Sequence, residues 1–371
     1  MYLHGDQEFF LRRRSTGFTA PISLENKIKY PVQEVPPDVS PNDQYIVIGR
    51  VINSVPEYPA RLFKSALYRH ILITGTTGSG KTRTASTIAK RVTSELNTRV
   101  VILDWHSEYS YLLDRYELVD PYSNPLQLFT GDPNDISVIS SVMELTPPQE
   151  YLLEKILRKV SLDKLRSLDL FLDYIENYSE ESNWMKETKL ALHRKLSLLI
   201  RGKYYLLFKL QDPELYQTII TKISEDKPSI IDLGKILDIN VRKLYAGFFL
   251  KRIVDTFISA KMPLVIIVEE AQNYLSKTQA IKPICDMLRE VRKFNIGLII
   301  ISQSISQLVE DVAVNTNTKI IHSLKSKQDL EIVEKALYLD YDVLTSLPYI
   351  EPGEAIYSTP TIKKPVLIKI E

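Results

Sequence analysis

The stretch that decides the fold is Gly75-Thr76-Thr77-Gly78-Ser79-Gly80-Lys81-Thr82, which fits the phosphate-binding pattern G-x-x-x-x-G-K-[ST]. Its glycines allow a tight turn that points backbone N–H groups toward a polyphosphate. The apolar run 71–74 predicts a buried strand before the loop, and residues 81–96 predict a helix after it, whose N-terminus favours anions. A chance Gly/Ser-rich turn would lack this order, so the stretch predicts a nucleoside triphosphate site.

The last two residues of this P-loop carry its chemistry. The Lys81 ammonium can reach the β- and γ-phosphates of a nucleotide, and the Thr82 hydroxyl can bind Mg²⁺. A P-loop enzyme also needs an acidic residue near the metal and a group that activates water for hydrolysis. These groups have to come from other parts of the chain.

Composition limits the class of protein. The 371 residues have a net charge of +1, so contact with nucleic acid requires a local basic patch. The single cysteine, Cys285, excludes a disulfide within the chain, favours a cytoplasmic location and is expected to be a small buried residue. We see no secretory signal and no run approaching about 18 apolar residues, and therefore expect no membrane association.

Apolar runs alternate with helical patterns along much of the chain. This alternation predicts an α/β fold with a mainly parallel central sheet. A short strand at 230–233 interrupts an otherwise helical region. The predicted strands of the sheet lie at 45–49, 71–74, 100–104, 263–270, 296–303, 319–322 and 365–370.

Changes in pattern divide the chain into three parts. Residues 1–60 predict an N-terminal extension or arm, 61–146 and 211–371 predict the nucleotide-binding core, and 147–210 predict a helical insertion in that core. The run Arg12-Arg13-Arg14 and the basic stretches of the insertion are compatible with contacts to nucleic acid. A solvated terminal segment or helix face explains them equally well.

Carboxylates follow two of the predicted strands. Glu269 and Glu270 end the run 263–270, and Asp104 and Glu108 come at the end of 100–104. Carboxyl ends of parallel strands are where such sheets bind ligands. We predict that Glu269 lies in the Mg²⁺ sphere, mostly through water, and that Glu270 polarises the attacking water. The alternative is a pair of surface carboxylates at a strand end.

Gln303 and two arginines are further candidates. Gln303 ends the next strand, where an amide that both donates and accepts can sense a γ-phosphate; the alternative is an ordinary loop glutamine. Arg289 and Arg292 are three residues apart on a predicted helix. One of them can act as an arginine finger in a neighbouring subunit. The alternative is a salt bridge to Glu290 or Asp286.

The ordered set of these motifs resembles the HerA branch of the HerA/FtsK superfamily of hexameric DNA-translocating ATPases. The matches span about residues 46–371, and each is weak alone apart from the P-loop. The stretches that carry the resemblance are 69–82, 104–109, 268–274, 292–298 with 301–304, 317–321, and 352–355 with Pro365-Val366.

The resemblance implies a RecA-like P-loop core of the ASCE type, which forms a homohexameric ring around duplex DNA and uses ATP and Mg²⁺. It assigns catalysis to Lys81, Glu270, Gln303 and the trans finger Arg292, and the metal to Thr82 and Glu269. Asp104 and Glu108 match an acidic motif that couples to the site. The nucleotide-binding residues implied are Gly75, Thr76, Thr77, Gly78, Ser79, Gly80, Lys81, Thr82, Arg83 and Arg69.

The chain departs from the family pattern at three places. Ser107 and Val291 stand where the family usually has glycine. Family members carry a full N-terminal β-barrel that docks a NurA-type nuclease, whereas only 70 residues precede the P-loop strand here. The resemblance therefore implies a truncated barrel or an arm, and leaves partnership with a NurA-like nuclease open.

The leading hypothesis is an ATP-driven translocase or helicase on double-stranded DNA, in DNA-end processing or recombinational repair. A second hypothesis is a viral or plasmid ATPase for DNA packaging or transfer, which the short N-terminal part favours. A third, from another class, is a nucleotide-dependent scaffold or regulator. A missing catalytic carboxylate would mark the scaffold, and Glu270 is present.

Overall fold

The computed structural model describes residues 43–160, 167–179, 183–210, 221–223 and 225–371. Its centre is a sheet of eleven strands in the order β2-β1-β13-β12-β11-β3-β10-β9-β4-β8-β5. The seven strands from β11 to β5 run parallel, and β12, β13, β1 and β2 extend the sheet in antiparallel fashion. The predicted α/β fold with a mainly parallel sheet is confirmed.

The strands follow the apolar runs of the sequence, and their central members are buried along their whole length. A separate parallel pair, β6 and β7, lies outside the main sheet. The strands are β1 Tyr45–Val51, β2 Pro59–Phe63, β3 Ile71–Thr74, β4 Arg99–Asp104, β5 Glu117–Val119, β6 Leu126–Gln127, β7 Phe208–Lys209, β8 Ser229–Asp232, β9 Leu264–Val268, β10 Ile296–Ser302, β11 Thr318–Ile321, β12 Glu354–Ser358 and β13 Val366–Ile370.

Helices cover both faces of the sheet, because alternate residues of each central strand point to opposite sides. The described helices are α1 Lys64–Leu67, α2 Lys81–Leu96, α3 Pro133–Met143, α4 Pro147–Lys159, α5 Leu168–Asn177, α6 Asn183–Leu196, α7 Ile239–Ala260, α8 Lys282–Glu290, α9 Glu310–Asn315, α10 Lys327–Leu337 and α11 Tyr341–Ser346. α2 and the antiparallel strands enclose one core with Ile71 and Ile73, while α3, α7 and α8 enclose the other with Leu72.

The order of the central strands defines the P-loop subclass. β3 leads into the P-loop, and β9 precedes the two glutamates. β10 lies between β3 and β9 and pairs with both in parallel. One strand inserted between the P-loop strand and the acidic strand is the arrangement expected of a RecA-like, ASCE-type core.

Segments that the sequence left ambiguous take definite positions. β8 is an inner strand of the sheet, hydrogen-bonded to both β4 and β5. β1 and β2 belong to the same sheet as the P-loop strand. Helices fill most of the described part of 147–210, and α3 at 133–143 packs beside them. The domain boundaries stay a prediction, and the Arg12-Arg13-Arg14 run lies outside the described residues.

Cys285 is a free thiol on α8 and is partly buried. Within the described ranges, none of the helices combines the length and the apolar composition that crossing a membrane requires.

Burial of His70 predicts a pH-dependent stability. His70 is 1% exposed, and its Nδ1 accepts a hydrogen bond from the Leu298 N–H at 2.9 Å. Burial, together with the charge of Arg292, lowers the pKa of His70 from 6.5 to about 4. Between pH 6.5 and pH 4, His70 is therefore protonated in the unfolded chain but not in the folded chain. The free energy of unfolding falls as the pH drops through this range.

Asparagine is the matched replacement, because its side-chain oxygen can accept from Leu298 and it tolerates the left-handed φ of 59° at this position. Between pH 7 and pH 5 we expect the free energy of unfolding of the wild type to fall by about 1–2 kcal/mol more than that of His70→Asn. Urea denaturation at the two pH values measures the difference. Equal losses in both proteins would contradict a neutral buried imidazole.

Candidate functional site

The P-loop lies at the carboxyl edge of β3 and wraps the N-terminus of α2. Gly78 and Gly80 have φ values of 77° and 110°, in the region that favours glycine. A Cβ at Gly80 would lie 2.9 Å from the backbone nitrogen of Gly353, so this position has no room for a side chain. The loop therefore has the backbone form that the sequence pattern predicts.

The Lys81 side chain folds back onto the P-loop. Its side chain is buried, and its Nζ donates to the carbonyl oxygen of Thr76 at 2.9 Å. Burial lowers the pKa of Lys81, while the nearby carboxylates of Glu270, Glu269 and Glu108 act in the opposite direction. The ammonium thus points into the space that the loop encloses, and acidic groups surround it.

Thr82 and Glu269 meet as the sequence predicts. The Thr82 hydroxyl donates to Glu269 Oε1 at 3.5 Å, and the other carboxylate oxygen accepts from the Trp105 N–H at 3.2 Å. Burial, together with the charges of Asp104 and Glu108, raises the pKa of Glu269 to about 8. A nearby cation would stabilise the ionised form of a carboxyl group in such surroundings.

These two oxygen donors fit Mg²⁺, which binds through one or two protein oxygens together with phosphates and water. In the described part of the chain no group of three or more His, Cys, Asp or Glu side chains is placed to hold a metal ion. Thr82 and Glu269 would therefore share the metal with the nucleotide rather than enclose it.

Glu270 lies in a network that reaches the P-loop. Its Oε1 accepts from Gln303 Nε2 at 2.9 Å, and Gln303 Oε1 accepts from the Thr77 hydroxyl at 3.0 Å. Gln272 Nε2 donates to the other oxygen of Glu270, and His106 Nε2 lies 3.5 Å from Oε1. The predicted base and sensor are thus in direct contact, and both are linked to the loop that would hold the phosphates.

Asp104 organises the acidic motif from within. Its carboxylate accepts the backbone N–H groups of His106, Glu108 and Tyr109 at 3.0–3.3 Å. Burial raises the pKa of Asp104 in spite of these bonds. Asp104 therefore shapes the turn after β4, and Glu108 lies exposed on that turn.

The departure at Ser107 has a structural explanation. Ser107 has a φ of 62°, which explains why glycine suits this position. Its hydroxyl donates to Asp232 Oδ1 at 2.5 Å, across to the end of β8. Gly234 makes room for it, because a Cβ there would lie 2.2 Å from the Ser107 hydroxyl. The hydrogen bond offsets part of the cost of the left-handed backbone.

The arginines lie away from this site. Arg69 precedes β3 and Arg292 precedes β10, so both are at the amino edge of the sheet. β10 has seven residues and spans roughly 20 Å at about 3.3 Å per residue. Neither arginine is placed to meet a nucleotide held by its own P-loop. Arg83 is exposed on the first turn of α2.

Arg289 takes the alternative interpretation, a salt bridge. It pairs with Asp311 at 2.7 Å and with Asp286 at 3.9 Å. Arg292 is exposed on the turn after α8.

Sequence reasoning missed three residues at this edge. His106 and Gln272 contact Glu270, and His322 lies beneath the P-loop at the end of β11. His106 and Gln272 lie in the motifs 104–109 and 268–274, and His322 ends the predicted strand 319–322. Their positions at strand ends could therefore have indicated that they belong to the site.

Replacing Glu270 with glutamine predicts a loss of hydrolysis with nucleotide binding retained. The amide keeps the shape and can still accept from Gln303, but it cannot take a proton from water. We expect kcat for ATP hydrolysis to fall about 10²–10⁴-fold. Phosphate release measures turnover, and titration with a fluorescent ATP analogue measures binding. The control is Glu334→Gln, an exposed glutamate on α10; a Glu270→Gln protein that hydrolyses normally would exclude Glu270 as the base.

Comparison with known proteins places this geometry in a family. Residues 46–253, more than half of the chain, match the family model described as "Helicase HerA, central domain". The DNA double-strand break repair helicase HerA of Sulfurisphaera tokodaii is 26% identical over 99% of this chain and 81% of its own length. The protein of that name from Sulfolobus acidocaldarius is 29% identical over 87% of this chain and 68% of its length.

A solved structure supports the fold independently. VirB4 of Thermoanaerobacter pseudethanolicus superimposes with a TM-score of 0.67, covers 88% of this chain and 96% of its own, and is 18% identical. The site combines a P-loop lysine with two adjacent carboxylates, which are residue types that ATP hydrolysis at a P-loop uses. The chain is a P-loop ATP hydrolase, and it belongs to the HerA helicase family.

Proposed function

We propose that this protein is a ring-forming translocase or helicase that moves along double-stranded DNA at the expense of ATP, in DNA-end processing or repair. The observation that carries the proposal is the division of the site between two edges of one sheet. The P-loop, Glu269, Glu270 and Gln303 occupy the carboxyl edge, whereas Arg69 and Arg292 occupy the amino edge. The family and its DNA-repair relatives support the same function.

The residues of the carboxyl edge would perform hydrolysis as follows. The P-loop N–H groups and Lys81 hold the phosphates, and Lys81 moves from the Thr76 carbonyl to them. Thr82 and Glu269 would hold Mg²⁺, which neutralises charge on the phosphates when bound. Glu270 accepts the proton of the attacking water, and Gln303 orients the Glu270 carboxylate by donating a hydrogen bond to it.

Arg69 and Arg292 would complete the site of a neighbouring subunit. A guanidinium beside the γ-phosphate stabilises the charge of the transition state. Because the arginines are at the far edge from their own P-loop, subunits in head-to-tail contact would bring them to the next P-loop. Such head-to-tail contacts form a ring when the rotation from one subunit to the next closes. We propose a homohexamer with duplex DNA in its pore, held through phosphates, and with ATP and Mg²⁺ as cofactors.

The alternatives are less well supported. A packaging or transfer ATPase gains little from the likeness to the plasmid coupling protein TrwB, which at 14% identity shows the fold alone. A scaffold without hydrolysis is disfavoured because Glu270 and Gln303 are in contact beside the P-loop. A NurA-like nuclease partner and a cytoplasmic location are proposed on the resemblance to repair helicases, and a co-purifying nuclease would support the partner.

Duplex DNA is expected to stimulate hydrolysis in a salt-dependent manner. Phosphate contacts release counterions, so both DNA binding and stimulation should weaken steeply between low and moderate KCl. Phosphate release with and without duplex DNA measures this across a salt series. Lys81→Ala serves as the control that binds DNA without hydrolysis. A rate of hydrolysis that duplex DNA does not change, together with no DNA binding at low salt, would overturn the proposed function.

Arg292→Ala is expected to lose hydrolysis while ATP binding stays largely intact. Removing the finger costs roughly 10³–10⁵ in turnover. Mixing Arg292→Ala with Lys81→Ala subunits should restore part of the activity, because some interfaces then combine an intact P-loop with an intact arginine. Lys293→Ala, the adjacent exposed cation, is the matched control and should remain active. Loss of ATP binding in Arg292→Ala, or no recovery on mixing, would exclude a finger in trans.

A further inference from the structure

His322 is a buried histidine directly beneath the P-loop. It follows β11 and has no exposed surface. Its Nε2 lies 2.9 Å from the Thr84 hydroxyl on α2, and its Nδ1 lies 2.8 Å from the carbonyl oxygen of Glu354 on β12. The ring therefore bridges the first turn of the P-loop helix and the antiparallel half of the sheet.

The partners of His322 fix its tautomer. A carbonyl oxygen can only accept, so Nδ1 carries the proton and donates to Glu354. Nε2 is then an acceptor. The Thr84 hydroxyl donates to it at 2.9 Å and also lies 3.0 Å from the carbonyl oxygen of Gly80. Burial lowers the pKa of His322 to about 4, and the charge of Lys81 acts in the same direction. The imidazole is thus neutral at ordinary pH, and each nitrogen has a defined role.

His322 also fills the floor of the loop. A Cβ at Gly75 would lie 2.6 Å from the His322 Cβ, and one at Gly80 would lie 3.6 Å from its Cε1. Glycines at both ends of the loop therefore face the same side chain. A shift of the His322 side chain would displace the loop backbone, because no free space separates His322 from Gly75.

Backbone hydrogen bonds hold the loop to the same two elements. The Thr76 N–H donates to the Ser323 carbonyl at 2.8 Å, and the Gly353 N–H donates to the Ser79 carbonyl at 2.9 Å. The loop is thus fastened on one side to the end of β11 and on the other to the turn before β12. His322 connects these two attachments, since it precedes Ser323 and bonds to Glu354.

We propose that His322 is a positioning residue for ATP, which holds the P-loop in its phosphate-binding form by joining Thr84 to Glu354. This rests on ATP hydrolysis at this site and does not depend on the proposed movement along DNA. His322 does not touch the reacting atoms, so its loss should weaken nucleotide binding more than the chemical step. A histidine that only fills the core would instead alter stability and leave the KM for ATP unchanged.

Two substitutions remove the bridge from opposite ends. His322→Asn keeps a donor near the Nδ1 position for Glu354 but cannot reach Thr84. Thr84→Val removes the hydroxyl at nearly constant volume, and with it the contact to the Gly80 carbonyl oxygen. Each lost hydrogen bond predicts a KM for ATP raised about threefold to tenfold, with kcat within about twofold of wild type. The double variant should be no worse than Thr84→Val alone, because that substitution already removes the contact that His322→Asn removes.

Thr84→Ser is the matched control, because it keeps the hydroxyl and should keep the KM of the wild type. DNA-free ATP hydrolysis provides KM and kcat, and thermal unfolding reports whether each variant folds. If His322→Asn fails to fold, His322→Gln takes its place, because its longer amide can meet Thr84 but gives up the bond to Glu354 and so breaks the same bridge. An unchanged KM in Thr84→Val, an equal loss in Thr84→Ser, or additive losses in the double variant would overturn the proposal. Absence of DNA stimulation would contradict the translocase function and leave this result unaffected.

Discussion

The parallel direction of β3, β10, β9 and β4 is the constraint on which the rest of the structure depends. Parallel strands end at the same edge, so residues that follow different strands meet there although they are far apart in sequence. Lys81, Glu270 and Gln303 are brought together in this way. The same direction sends residues that precede the strands to the opposite edge, where Arg69 and Arg292 lie. The parallel direction thus brings the P-loop, the two glutamates and Gln303 together, and it separates them from the two arginines that we propose act on a neighbouring subunit.

The carboxyl edge of the sheet is strongly acidic. Glu108, Glu269 and Glu270 lie near Lys81, and Asp104 lies near Glu269. Burial raises the pKa of both Asp104 and Glu269. Carboxyl groups in such surroundings are costly to ionise unless a cation is near. A Mg²⁺ ion bound together with a nucleotide would supply that charge, and Lys81 would add to it. In the proposed mechanism, ionisation of the carboxyl groups and metal binding would therefore be coupled at this edge, beside the turn that Asp104 holds.

Much of this site could be predicted from the sequence, because its signals are local. The P-loop is one continuous motif, and Glu269, Glu270 and Gln303 each follow an apolar run that reads as a strand. The roles given to these residues remain predictions, although the structure brings them together. The resemblance also pointed to Arg292, but its distance from the P-loop emerged only once the strand directions were known.

Other features required the three-dimensional structure. Nothing in a short apolar run at 354–358 or 366–370 indicates that it pairs antiparallel to a parallel sheet and joins β1 and β2. The contact of His322 with Thr84 links residues 238 positions apart and has no sequence motif. The left-handed backbone at Ser107 is hidden as well, because a serine carries it in place of a glycine.

The central claim is that each nucleotide lies between the P-loop of one subunit and the arginines of the next. Electron cryomicroscopy of the protein with a non-hydrolysable ATP analogue, Mg²⁺ and duplex DNA tests it most directly. The account predicts a ring with a pore about as wide as a duplex, in which Arg292 of one subunit contacts the γ-phosphate bound by Lys81 of its neighbour. A nucleotide enclosed by one chain alone, with Arg69 and Arg292 facing solvent, would contradict it.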